Sequence, residues 1–226
     1  MTKEEILRMC DHTVLRTDAP FSEIAENCRL AMKYNCASMC LAPAHVYEAK
    51  KLCGDKLKIC TVIGFPNGYN DTVTKVFEAR HMIEEGADEI DAVINIGWAV
   101  SGMYAAIEDE LIHLRKATEG SILKIIVETS KLSESVLREI CKVVSRSGAD
   151  FIKTSTGFAE RGAIVRDVEI MREECAAETK IKAAGGISSF EDAEKMIAAG
   201  ANRLGTSRLV KLMLEDGKDA KNSLTY

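Results

Sequence analysis

Four segments of the chain repeat one short pattern. Gly86-Ala87-Asp88-Glu89-Ile90-Asp91, Gly148-Ala149-Asp150-Phe151-Ile152-Lys153 and Gly200-Ala201-Asn202-Arg203-Leu204-Gly205 match closely, and Asn35-Cys36-Ala37-Ser38-Met39-Cys40 is a weaker fourth. Their starts lie 51, 62 and 52 residues apart (86−35, 148−86, 200−148). Each follows apolar residues at helical spacing, such as Val136, Leu137, Ile140, Val143 and Val144 before Gly148. A glycine or asparagine there suits the end of a helix, where the chain turns through a left-handed conformation. An apolar strand then begins.

Midway between these strands lie Lys58 to Ile63, Leu123 to Val127 and Ile181 to Ala184, and a short strand is expected near Met9 to Val14. Ser133, and Ser189 with Asp192 three residues on, carry helix-start chemistry. Strands alternating with helices imply a parallel sheet covered by helices. Eight such units in 226 residues imply one domain, a (β/α)8 TIM barrel with a short N-terminal helix and a polar tail over 217–226. An open doubly wound sheet is the alternative, but no G-x-G-x-x-G or Walker A motif supports a nucleotide-binding version of it.

The repeat also makes a geometric prediction. Five residues past each turn residue stand Cys40, Asp91, Lys153 and Gly205. In a barrel, alternate strands contribute side chains to one interior layer. Cys40, Asp91 and Lys153 should therefore converge, with Gly205 leaving room. A lysine on a buried strand is costly unless it is paired or functional. Lys153 either snorkels past a helix to water or points inward, and the layer puts it inward.

Lys182 stands on the next strand, about 4.8 Å away. At ~4 Å and an effective dielectric near 20, two ammonium groups repel by ~4 kcal/mol. That amounts to about three pKa units, enough to bring a lysine from ~10.4 to near neutrality and make it a nucleophile toward carbonyls. A strand-end surface position is the other reading of Lys182. Asp91 either neutralises a buried lysine or transfers protons. Asp11, in Asp11-His12-Thr13, is an acid or part of a turn. Lys124 pairs with such carboxylates or adds to the positive field. Cys40 by itself reads as a small buried hydrophobe.

Two glycine-bearing segments, Ala184-Gly185-Gly186-Ile187-Ser188-Ser189 and Gly205-Thr206-Ser207-Arg208, follow strands seven and eight. Barrel enzymes often bind phosphate there through backbone N–H groups. Arg208 either reinforces that site or lies on the outer surface.

Composition removes several other classes. A net charge of −5 argues against a general nucleic-acid or anionic-membrane binder. No apolar run is long enough for a membrane span or a signal peptide. Eight scattered cysteines with no CxxC pair read as free thiols of a cytoplasmic protein. The four histidines form no metal-ligand cluster, and neither a metal nor a cofactor is expected.

Taken together, Asp11-His12-Thr13, Glu89-Ile90-Asp91, Phe151-Ile152-Lys153-Thr154-Ser155-Thr156-Gly157-Phe158, Ile181-Lys182-Ala183-Ala184-Gly185-Gly186-Ile187 and Arg203-Leu204-Gly205-Thr206-Ser207 resemble the deoxyribose-phosphate aldolases, collinearly over nearly the whole chain. The resemblance implies a metal-free class I aldolase. Such an enzyme reversibly cleaves 2-deoxy-D-ribose 5-phosphate to glyceraldehyde 3-phosphate and acetaldehyde, in deoxyribose phosphate catabolism. By similarity Lys153 forms the Schiff base, Lys182 perturbs it and helps transfer protons, and Asp91 is proton donor and acceptor. Asp11, Lys124 and the C-terminal Tyr226 support catalysis. Thr13, Cys40, Thr156, Gly157, Gly185, Gly186, Gly205 and Ser207 match the substrate-binding region.

The chain departs from the family pattern at three places. Ser188-Ser189 stands where Arg-Thr is common, Arg208 stands where a small residue is common, and Trp98 falls at an unusual place. The expected partners are small sugar phosphates and aldehydes, with a homodimer as the expected assembly. The competing functions are a Schiff-base aldolase or isomerase for another sugar phosphate, and a non-catalytic barrel that binds phosphometabolites.

Overall fold

Gly86, Gly148 and Gly200 adopt positive φ angles of 105°, 78° and 118°, and Asn35 does the same at 51°. In all four cases a helix has just ended and a strand starts three residues later. The repeat is thus a helix-to-strand turn used four times.

The structure, a computed structural model, describes residues 1–215; Tyr226 and the 217–226 tail lie outside them. Its strands are β1 (Cys10–Val14), β2 (Ser38–Leu41), β3 (Lys58–Ile63), β4 (Glu89–Val93), β5 (Ile122–Ile126), β6 (Phe151–Lys153), β7 (Lys180–Ala184) and β8 (Arg203–Thr206). Every strand is parallel to the next, and β8 closes on β1. The expected (β/α)8 barrel is the observed fold.

The helices follow the expected alternation. A short N-terminal helix α1 (Lys3–Leu7) precedes β1. Then come α2 (Phe21–Lys33), α3 (Val46–Cys53), α4 (Thr72–Glu84), α5 (Ile96–Val100), α6 (Tyr104–Ala117), α7 (Glu134–Arg146), α8 (Val165–Glu174) and α9 (Phe190–Ala198). A last helical stretch begins at 209. Ser133 caps α7 by accepting the Val136 N–H, and Ser189 forms a full capping box with Asp192 at α9. Trp98, the residue out of pattern in sequence, lies in α5, whose cap Asn95 accepts the Trp98 N–H at 3.1 Å.

The third residue of the repeat sets the strand register. Asp88 donates its N–H to the Ile59 carbonyl at 2.8 Å and accepts the Ile59 N–H on Oδ2 at 2.8 Å. Asp150 makes the same pair of bonds to Leu123, at 2.9 and 2.8 Å, and Asn202 makes it to Ile181, at 2.8 and 2.9 Å. In the weaker fourth copy, Ala37 keeps only the backbone half, to Cys10. Each clamp ties the entrance of one strand to the entrance of the strand before it.

Beyond the clamp, side chains alternate between the two faces. Met39, Ile90, Ile152 and Leu204 are completely buried in the main apolar cluster. The helices cover it with stripes such as Leu137, Ile140, Cys141 and Val144 of α7, while Glu139, Lys142 and Arg146 face solvent. Burying each large aliphatic chain is worth roughly 1.5–3 kcal/mol, so this layer needs few aromatics. Lys75 of α4 is also completely buried, donating to the Val93 carbonyl and to Glu110 of α6. No helix among the described residues is long and apolar enough to cross a membrane.

The clamp is open to direct test. Asp150→Ala strands the Leu123 N–H and removes the Arg115 pair at 2.7 Å. It should destabilise the protein by about 1–3 kcal/mol in urea unfolding. Asp150→Asn keeps an acceptor, as Asn202 does naturally, and should lose clearly less.

Candidate active site

The inward positions stack in layers of four. Ser38, Glu89, Phe151 and Arg203 come first along the even strands. Asp11, Cys60, Lys124 and Lys182 follow from the odd strands, and Cys40, Asp91, Lys153 and Gly205 complete the even set. A barrel interior is normally filled this way by branched apolar chains. Here charges fill it, and they satisfy one another.

Asp91 is the hub. Its Oδ1 accepts from Lys124 at 2.7 Å and from the Cys60 thiol at 3.2 Å. Its Oδ2 accepts from Lys153 at 2.8 Å and from Lys182 at 2.6 Å. Below it, Lys124 also meets Glu89 at 2.6 Å, and Lys182 also meets Asp11. Arg203 closes the network from beneath, at 2.5 Å from Asp11 and 3.2 Å from Glu89, with its guanidinium over the Phe151 ring. Three carboxylates are faced by four cations.

Burial disfavours the charge on Asp91, but Lys124, Lys153 and Lys182 outweigh it and hold the carboxyl well below the usual range. Asp11 behaves alike: burial opposes its charge, and Lys182, Lys124 and Arg203 depress its pKa. Burial also opposes the ammonium of Lys182, yet Asp11 and Asp91 raise its pKa above the ordinary lysine value. Lys124 is raised against burial by Asp91 above all. This corrects the expectation of two lysines repelling across bare space. The Asp91 carboxylate lies between Lys153 and Lys182, so the floor of the site is a set of fixed ions.

Above this floor opens a cavity of about 460 Å³ at the C-terminal ends of the strands. Of the four interior cations, only Lys153 lines it; Lys124 and Lys182 are completely buried beneath. Thr13, Thr156, Gly157, Gly185, Gly186, Gly205 and Ser207 line the wall, as the sequence expects. Gly185 and Gly186 take φ angles of 78° and 75°, a turn that exposes backbone N–H groups. Among the described residues, the N–H groups of Gly157, Gly185, Gly186 and Ser207 have no protein acceptor. Gly205 leaves room in the literal sense, because a Cβ there would lie 2.9 Å from Ala184 Cβ and 3.2 Å from Lys182 Cε.

Other expected residues stand elsewhere. Cys40 is fully buried beside Cys60 and Val62, with Leu15 and Phe65 packed over it, so it does not reach the cavity. Thr156 lines the cavity, but both its N–H and its O–H are given to Glu128. Ser188 and Ser189 bond Asp192 and cap α9. Arg208 is exposed and does not line the cavity; the rim cations are Lys211 and Arg16, the latter paired with Asp18 and Glu23. Glu89, Cys60 and Arg203 were not singled out from sequence, although Glu89 and Arg203 stand two residues before layer positions and so share their inward parity.

Cys40, Cys60 and Asp91 have donor atoms within 4.8 Å of one another, as do Asp11, Cys60 and Glu89. Lysine ammonium groups already occupy Glu89 and Asp91 at 2.6–2.7 Å, and Lys182 occupies Asp11, so an entering cation meets fixed positive charge.

A closed parallel barrel whose interior presents one strand lysine, backed by a carboxylate, to a cavity at the strand C-termini defines a barrel enzyme equipped for carbonyl chemistry. Comparison with known proteins supplies the family. The chain belongs to the DeoC/LacD family of aldolases, whose model matches residues 6–209. It is 51% identical over 213 residues to the deoxyribose-phosphate aldolase of Streptococcus agalactiae serotype Ia, covering 94% of this chain and 96% of the relative. Identity to the deoxyribose-phosphate aldolase of Streptococcus pyogenes serotype M4 is also 51%, with the same coverage. The solved tetrameric deoxyribose phosphate aldolase of Aeropyrum pernix superposes with a TM-score of 0.88 at 30% identity, over 96% of this chain and 92% of that one.

Two substitutions separate floor from cavity. Lys182→Met leaves Asp11 and Asp91 short of a buried partner and should cost about 3–5 kcal/mol in denaturant unfolding. Lys153→Met removes the cation at the edge of the network and should cost markedly less. The Lys182→Met cost should be constant from about pH 6 to 9. Asp91 and Asp11, depressed when folded, contribute above their unfolded values near ~3.9 and lose that contribution as pH falls. Lys182, raised when folded, contributes fully below ~10.4 and loses that contribution only as pH rises further.

Proposed function

We propose that this chain is a class I aldolase that reversibly cleaves 2-deoxy-D-ribose 5-phosphate to D-glyceraldehyde 3-phosphate and acetaldehyde, in cytoplasmic deoxyribose phosphate catabolism. The observation that carries the reading is the amine at the base of the cavity: Lys153 lines it from the barrel interior and has Asp91 Oδ2 at 2.8 Å.

The chemistry follows from those groups. Lys153 gives up a proton, for which Asp91 is the adjacent acceptor, and its free amine adds to the substrate aldehyde carbon, C1. Loss of water from the carbinolamine leaves a protonated imine. That imine draws the electrons of the C2–C3 bond as the C3 hydroxyl loses its proton, releasing glyceraldehyde 3-phosphate and leaving an enamine. Protonation of C2 and hydrolysis of the imine then release acetaldehyde and restore Lys153. Asp91 and Lys182 move these protons, directly or through water. Asp11, Lys124, Glu89 and Arg203 keep the shuttle groups charged and aligned. The unpaired N–H groups of Gly157, Gly185, Gly186 and Ser207, with Lys211 at the rim, suit a phosphate.

An isomerase or a non-catalytic barrel has less support, because neither requires an amine backed by a carboxylate shared among three lysines. For assembly, the proposal is a homodimer.

Incubation with acetaldehyde and borohydride, followed by peptide mass mapping, should label Lys153. Turnover without an adduct at Lys153, or with the adduct on Lys182, would refute the mechanism. Lys153→Ala should lose about 10³-fold or more in kcat while remaining folded.

A further inference from the structure

Just past β5 the chain does something unusual. Val127 donates its N–H to the Lys153 carbonyl at 3.0 Å, and Thr129 donates to the next carbonyl, that of Thr154, at 2.9 Å. Glu128 between them is the extra residue of a bulge, with a left-handed φ of 52°. Glycine normally takes such a position, because a Cβ is strained there. A glutamate is kept, and its side chain is turned inward until the residue is 2% exposed.

Glu128 Oε2 accepts the Thr156 N–H at 3.1 Å and the Thr156 hydroxyl at 2.5 Å. The same hydroxyl oxygen accepts the Phe158 N–H at 3.0 Å. One carboxylate oxygen therefore fixes both ends of the turn that carries Gly157. That turn lies beside Gly185 on the cavity wall, where a Cβ built on Gly185 would come 3.6 Å from Gly157 Cα, and the Gly157 N–H has no protein acceptor among the described residues. Glu128 itself does not line the cavity.

We propose that Glu128 is a positioning residue for anion recognition: its carboxylate, aimed by the bulge, holds the Thr156–Gly157 turn so that the Gly157 N–H is presented to the substrate phosphate. The proposal rests on the sugar-phosphate reading of the cavity. It assigns Thr156 to the support of the anion cradle and leaves the chemistry of Lys153 untouched.

Kinetics of Glu128→Ala should show the KM for 2-deoxy-D-ribose 5-phosphate raised about tenfold and kcat within about threefold, the loss of one charge-assisted tether. Activity on unphosphorylated 2-deoxyribose should be unchanged. Glu128→Gln keeps an acceptor at the same reach and should restore KM to within about threefold of wild type. Glu128→Gly relieves the backbone and should unfold at a higher temperature than Glu128→Ala, yet share its raised KM. Thr156→Val, which loses only the hydroxyl, should raise KM in the same direction and covers the case of an unfolded Glu128→Ala.

Equal losses on both sugars, or a fall in kcat at constant KM, would overturn the proposal. Calorimetric binding of inorganic phosphate keeps it separate from the identity of the substrate. About tenfold weaker binding in Glu128→Ala supports the positioning role even if wild type fails to cleave the deoxyribose phosphate. Undiminished phosphate binding refutes the role even if cleavage is confirmed.

Discussion

A carboxylate sealed inside a barrel stays ionised only if cations replace the water it has lost. Asp91 meets that condition with three lysines, and two of them acquire obligations of their own. Lys124 and Lys182 carry more charge than Asp91 can neutralise, so Glu89 and Asp11 lie beneath them. Those carboxylates in turn require Arg203, stacked on Phe151 at the bottom of the barrel. The whole interior follows from keeping one acid charged.

The arrangement divides the labour between floor and mouth. Lys124, Lys182 and Arg203 match Asp11, Glu89 and Asp91 in number and stay out of the cavity. Lys153 is the surplus cation, and it is the one at the edge. It can lose its proton and form a covalent bond without breaking the pairs that Lys124 makes with Glu89 and that Lys182 and Arg203 make with Asp11. Rigidity below and exchange above come from the same network, and because its ions all stand on strands the floor of the site is preorganised.

Much of this was legible in the chain. Four turns of one pattern announced the strands, and counting five residues from each turn found Cys40, Asp91, Lys153 and Gly205. The count works because strand parity is strict. Pairing strengths were less legible. The repulsion expected between Lys153 and Lys182 ignored the acids that three-dimensional closure brings to them, from β1 and β4. Arg203 and Glu89 look like ordinary strand-end charges until the barrel closes. Glu128 was invisible for a different reason: nothing in Val127-Glu128-Thr129 signals a left-handed glutamate, since the bulge depends on pairing with β6. Arg208 reads two ways from its place beside Ser207, as a phosphate ligand or as a surface cation, and the exposed position is the one it takes.

The clamp residues Asp88, Asp150 and Asn202 have a further consequence. Each fastens its strand by backbone contacts that do not involve the side chain three residues on, at 91, 153 or 205. The strand thus delivers whatever stands at that address to one shared level of the interior, and an acid, an amine and a bare backbone already occupy it. Function and scaffold are written in separate letters of the same short word. A barrel of this kind can acquire a new reaction by exchanging single letters at that level, without relearning how to fold.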